Sequence, residues 1–206
     1  MKLELWLAFI ATYTVISAIP GPSVFMVTGL ALTWGTKAAF LCILGELLGG
    51  VVLIALSLFG VGALLAVSSG LFQLVKWAGI LYMACLGVCQ IAEARRYGNA
   101  NVPEPKGYKG HASARAGFFT AVLNPKAIIF YVAFLAQFLD PDGNIYIQFT
   151  TVVLTSTAIV AVVLGIYALI AGQVRRTFQK PEVRRRFGYI GGGFLLGGSV
   201  FMAASR

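Results

Sequence analysis

Six apolar runs, near residues 5–30, 39–66, 71–91, 117–138, 147–172 and 187–204, take up most of this 206-residue chain. Each has the roughly 20 residues that carry a helix across a bilayer core of about 30 Å at 1.5 Å per residue. Three runs hold a single charge each (Glu46, Lys76 and Lys126) and three hold none. With 59% hydrophobic and 11% charged residues, the chain falls outside the range of water-soluble domains. The sequence predicts an all-α integral membrane protein of six spans. The segments between them are too short for a soluble domain. The first run is too long for a signal-peptide apolar region and lacks a small-residue cleavage site, so it is expected to be a retained span.

Orientation follows from the basic residues. The connections after spans one, three and five carry Lys37; then Arg95, Arg96, Lys106, Lys109 and Arg115; then Arg175, Arg176, Lys180, Arg184, Arg185 and Arg186, which is 12 of the 16 lysines and arginines. Connections two and four carry none, and the fourth holds Asp140 and Asp142. The odd connections are therefore expected to face the cytoplasm, with both termini outside. The net charge of +9 reads as basic loops against an anionic leaflet. No nucleic-acid partner is expected, because no folded module accompanies the basic residues.

Pro20-Gly21-Pro22 interrupts the first run and Asn124-Pro125-Lys126 the fourth, with Pro22 and Pro125 separated by 103 positions. Proline removes a backbone donor and clashes one turn back, so each run is predicted to be two half-helices joined by a break. Paired interruptions at corresponding places in two halves point to the binding site of a transporter. Three spans per half make the two halves run in opposite senses, an inverted repeat if they share a fold. At an offset of 103, Ala18 also matches Ala121. The expected organisation is a first half over 1–91, a basic cytoplasmic linker over 92–116 containing Gly98, Pro103 and Pro105, and a second half over 117–206.

The missing amides of Pro20, Pro22 and Pro125 free the carbonyls of Ile16, Ala18 and Ala121. Gly21 and Asn124 suit the N-cap position and Pro22 and Pro125 the first helical position. The amides of Ser23, Val24, Lys126 and Ala127 then carry the positive helix end. A carboxylate fits there and an ammonium group fits the freed carbonyls, so the breaks suit a small zwitterion. A simple packing kink is the competing reading.

Lys126 lies at least nine residues inside span four, about 14 Å at helical rise, too deep to reach the interface easily. Intramembrane ionisable groups mark substrate or ion pathways. The only acidic residue within any of the six runs is Glu46, which predicts a Glu46/Lys126 relation, direct or across a water-filled cavity. Glu46 is also the candidate proton carrier. Lys76, near the start of span three, is expected to reach outward. Thr150, Thr151, Thr155, Ser156 and Thr157 in span five either line a polar path or bond their own backbone one turn back. Gly188, Gly191, Gly192, Gly193, Gly197 and Gly198 in span six, and Gly45 with Gly49 in span two, predict close helix packing within the chain or across a homodimer.

One histidine, His111, gives no support for a haem or histidine-zinc site, and no cofactor, metal site or enzymatic activity is expected. Cys42, Cys85 and Cys89 lie in apolar spans, either as small buried residues or as a soft-metal site.

A six-span chain of this length, with Ala18-Ile19-Pro20-Gly21-Pro22 in span one and Leu123-Asn124-Pro125-Lys126 in span four, resembles the LysE/RhtB family of bacterial amino-acid exporters. The resemblance covers essentially the whole chain. It implies export of amino acids or close derivatives across the bacterial inner membrane, driven by the proton motive force. Substrates in the family range over basic amino acids, threonine, homoserine and its lactone, leucine and cysteine-related compounds, with distant relatives linked to metal ions. Glu46 as proton carrier rests on its intramembrane charge more than on the family pattern. The resulting expectation is an alternating-access secondary exporter of a small zwitterion, embedded in membrane lipid and coupled to protons. Its site comprises Pro20, Gly21, Pro22, Ser23, Asn124, Pro125 and Lys126. A metal-ion exporter and a non-transporting membrane scaffold are the alternatives.

Overall fold

The backbone breaks where the prolines require it. The computed structural model describes residues 1–58, 69–96, 110–175 and 181–204, and all regular structure among them is helical. In chain order the helices are α1 (Leu3–Ala18), α2 (Pro22–Trp34), α3 (Thr36–Leu58), α4 (Ser69–Arg96), α5 (Gly110–Val122), α6 (Pro125–Ile129), α7 (Ile145–Gln173) and α8 (Pro181–Ala204). Helix α6 continues through a π-helical turn at Phe130–Phe134 and a 3-10 turn at Leu135–Phe138. Helices α1 and α2 meet at 54°. Gly21, in extended backbone, is the N-cap of α2, with Pro22 in its first turn. Asn124 is the N-cap of α6, followed by Pro125. Both prolines thus stand where a missing N–H costs nothing.

Gly35 alone joins α2 to α3, at φ +89°, a left-handed conformation that a Cβ would strain. Arg175, just beyond the end of α7, donates from Nη2 to the Thr33 carbonyl at 3.1 Å, placing a positive charge on the carbonyl end of α2.

Helix α3 and helix α7 are each long and apolar enough to cross a membrane, and the bent pair α1/α2 is a third such unit. Large apolar side chains point outward on them: Leu44, Leu48, Val52 and Leu56 recur every four residues along α3, and Leu154, Val162, Ile166 and Leu169 line α7. In water such a surface would drive association; here it is the lipid-facing surface of an integral membrane protein.

Glycines set the closest helix contacts. A Cβ on Gly45 would land on the carbonyl oxygen of Ala114, and one on Gly117 on that of Cys42, so α3 and α5 touch backbone to backbone. Gly87 and Gly192 do the same for α4 and α8. This is the small-residue packing expected of Gly45, Gly49 and the span-six glycines, although Gly193 and Gly197 have nothing within 4 Å. Beyond these pairs, α3 also lies against α7, and α1 and α2 both lie against α7.

Helical structure extends further into the basic connections than the apolar runs suggest. His111 and Arg115, read from the sequence as part of the 92–116 connection, stand on α5, and Arg95 stands on α4. The middle of that connection, with Gly98, Pro103, Pro105, Lys106 and Lys109, lies outside the described residues, as do Arg176, Lys180, the end of the second apolar run and the Lys76 side chain.

Candidate functional site

The break leaves open carbonyls at the end of α1, and side chains of the second half claim them. Lys126 Nζ donates to the carbonyls of Ile16 and Ile19, both at 2.9 Å, and Tyr167 donates its hydroxyl to Ala18 at 2.9 Å. A cation at the carbonyl end of a helix meets the negative end of its dipole. The third freed carbonyl, that of Ala121, accepts from the Asn124 amide at 3.3 Å within the turn. Of the three carbonyls freed by the prolines, that of Ile16 is held by the protein's own Lys126 ammonium, that of Ala18 by Tyr167 and that of Ala121 by the Asn124 amide, where the sequence suggested a substrate ammonium group.

Glu46, in the middle of α3, is 4% exposed. Its Oε2 accepts from Ser23 Oγ at 3.0 Å. Ser23 Oγ in turn accepts from Asn124 Nδ2 at 3.1 Å, and Asn124 Oδ1 accepts from the Lys126 amide at 3.1 Å. The Glu46/Lys126 relation therefore runs through Ser23 and Asn124, with no ion pair between the two charges among the described residues. One correction follows: the Lys126 amide, read from the sequence as open, is closed by its own N-cap. Glu46 Oε1 is buried with no hydrogen-bond partner, which leaves one acceptor in the network unfilled.

Ser23, Glu46, Asn124 and Lys126 all line one cavity enclosing about 590 Å3 of space, part of it open. The remaining polar lining is Tyr13, Ser17 and Tyr131; much of the rest is apolar, with Val24 from α2 and Val160, Val163 and Leu164 from α7. A smaller cavity of about 200 Å3 shares Tyr13, Glu46 and Tyr131 and adds Ile54, Ser156 and Thr157. Between the two, Tyr131 donates its hydroxyl to that of Tyr13 at 2.6 Å. Both rings belong to an aromatic cluster in which Phe9 stacks on Tyr13 at 5.5 Å and Phe130 lies 5.0 Å from Tyr13.

Of the expected site residues, the structure brings Ser23, Asn124, Lys126 and Glu46 to the cavity wall. Gly21, Pro22 and Pro125 are buried beside it and shape the backbone, whereas Pro20 is exposed. Gly21 borders Lys126: a Cβ there would sit 3.4 Å from Nζ. The span-five hydroxyls divide. Thr150 and Thr151 bond their own helix one turn back, Thr155 accepts from the Trp6 indole at 3.0 Å, and Ser156 and Thr157 line the smaller cavity. Cys42 is buried in α3, while Cys85 and Cys89 are exposed on α4, and none lines either cavity. Sequence reasoning missed Tyr13, Tyr131 and Tyr167. The available signal was the phenol itself, since a tyrosine inside an apolar run must bring its hydroxyl a partner.

The family model described as "LysE type translocator" matches residues 14–205. A protein of Vibrio cholerae called an uncharacterized membrane protein is 30% identical over all of both chains. A homoserine/homoserine lactone efflux protein of Salmonella typhimurium is 27% identical over 99% of this chain and 98% of its own. A leucine efflux protein of Klebsiella pneumoniae is 30% identical over 68% of this chain and 65% of its own. No solved structure matches.

Proposed function

This chain belongs to the LysE type translocator family, whose members are transporters and not enzymes, and on that premise we propose that it exports amino acids or close derivatives from the bacterial cytoplasm. The observation that carries this reading is the meeting of Glu46 and Lys126 at one cavity built on both helix breaks. A zwitterion fits it in one sense. Its carboxylate lies toward Lys126 and the N-terminal end of α2, and its ammonium group toward the unpartnered Oε1 of Glu46. The relatives named for homoserine and leucine efflux support a small amino acid as the cargo.

The proposal extends to mechanism. The bent pair α1/α2, α3 and α4 form one half. Helix α5 with α6, then α7 and α8, form the other as its inverted repeat, giving six spans in the inner membrane with odd connections inside. Helix packing supports this: α3 touches α7 and α4 touches α8, as counterparts across a twofold would, and the α3–α5 contact has its match in α7 against α1 and α2. The two halves rock about the cavity, exposing it to each side in turn. Glu46 serves alternately: a proton arriving from outside takes the place of the substrate ammonium on its carboxylate, releasing the amino acid, and leaves inside before the next one binds. Export is thereby exchanged for inward proton movement.

The test is a screen of radiolabelled amino acids in everted vesicles with an imposed acid-inside gradient. Gradient-dependent accumulation of a small group of amino acids, lost in Lys126→Ala and Pro22→Ala despite normal insertion, is the expected result. Accumulation of none would overturn the export reading.

A further inference from the structure

Among the described residues that line the larger cavity, Glu46 is the only acid and Lys126 the only base. If they hold the two charges of the amino-acid backbone, as the export reading requires, no charged group is left for a charged side chain. A lysine side chain would bring its second ammonium, and a glutamate side chain its second carboxylate, into a wall that offers no counter-charge, which is costly in a site withdrawn from water.

The wall itself has a definite chemistry. Val160, Val163 and Leu164 recur at the three- and four-residue spacing that puts them on one face of α7, and Val24 of α2 joins them. Ala121 and Ala127, on either side of the α5/α6 break, keep the space between them open by their small size. The polar groups nearby are largely committed to one another. Ser23 donates to Glu46 and accepts from Asn124, Asn124 also accepts from the Lys126 amide, and Tyr131 donates to Tyr13. A substrate hydroxyl entering this wall would exchange water for hydrocarbon.

We infer that the amino acids carried by this protein are neutral ones with apolar side chains of leucine, isoleucine, valine or methionine type, selected by the Val24–Val160–Val163–Leu164 wall. The inference rests on the export reading and narrows it. Discrimination against charged side chains is the stronger kind, since it needs a buried unpaired charge. Discrimination against an added hydroxyl is limited to about 100-fold, because an apolar wall rejects a hydroxyl only weakly.

The experiment measures initial rates in liposomes containing the purified protein, for leucine, isoleucine, valine, methionine, threonine, homoserine, lysine and glutamate. The expected result places kcat/KM for the apolar group at least about tenfold above threonine and homoserine, and further above lysine and glutamate. Two variants probe the wall. Val163→Thr, nearly isosteric, raises the threonine-to-leucine ratio severalfold, and Val163→Asp raises the lysine-to-leucine ratio. Lysine, glutamate or homoserine carried as well as leucine would overturn the inference while leaving export intact. So would a threonine-to-leucine ratio unmoved in Val163→Thr. Transport of no amino acid would overturn the export reading and the inference with it.

Discussion

Replacing Lys126 by methionine keeps the unbranched apolar stem and removes the ammonium group. In the folded protein that group makes two hydrogen bonds of 2.9 Å to the carbonyls of Ile16 and Ile19. Hydrogen bonds from a charged donor are worth about 1.5–3 kcal/mol each. Ile16 lines a cavity roomy enough for water and Ile19 is exposed, so solvent recovers part of the loss and the cost to folding is about 1–3 kcal/mol. The effect on substrate is separate. A carboxylate held by the ammonium group loses one charge-assisted contact of about 1.5–3 kcal/mol, which converts to roughly 10- to 150-fold in Kd. The assay is equilibrium binding of radiolabelled leucine to detergent-purified protein, paired with a thermal melt of the same samples. A Kd within threefold of wild type, in a variant whose melt shows it folded at the assay temperature, would refute the assignment of Lys126 to the substrate carboxylate.

Three further outcomes follow from the same geometry. Gly45→Ala and Gly117→Ala drive a methyl group into backbone carbonyls across the α3–α5 contact. Each is expected to lose at least about 1–3 kcal/mol of stability, read as a lower melting temperature, while Gly193→Ala, facing open space, stays near wild type. Asn124→Ala removes the N-cap of α6 and the bridge to Ser23. It is expected to cost about 1 kcal/mol in stability and to raise KM, and a variant unchanged in both would contradict the bridging role. Glu46→Gln retains an oxygen for Ser23 but carries no charge. Proton movement accompanying substrate, followed with an entrapped pH dye, is expected to vanish while insertion stays normal.

Much of this architecture is legible in the sequence because hydrocarbon leaves few choices. Apolar runs of about 20 residues declare helices, and Pro22 and Pro125 place the breaks to within a residue because a ring nitrogen has no hydrogen to give. The N-caps Gly21 and Asn124 follow from the same local rule. What could not be read was the identity of partners. Lys126 looks for an acid in the sequence and finds main-chain carbonyls in the structure, and a carbonyl has no letter of its own. The link from Glu46 to Lys126 passes through Ser23 and Asn124, residues of different spans whose proximity arises only when α2, α3 and α5 pack together. The tyrosine pair was hidden for a related reason: Tyr13 and Tyr131 are 118 positions apart, and the π turn that carries Tyr131 departs from the regular period on which face assignments depend. The start of α5 at Gly110 was obscured by the polar and basic composition of its first turns, since hydropathy marks the bilayer core and not the end of the helix.

The central claim is that Glu46 and Lys126, joined at the two helix breaks, act on the same transported molecule. The most direct measurement is gradient-driven uptake of radiolabelled leucine into everted vesicles bearing wild type, Glu46→Gln or Lys126→Met at matched levels of inserted protein. The account predicts uptake in the wild type and its loss in both variants. Wild-type uptake in either variant would contradict it.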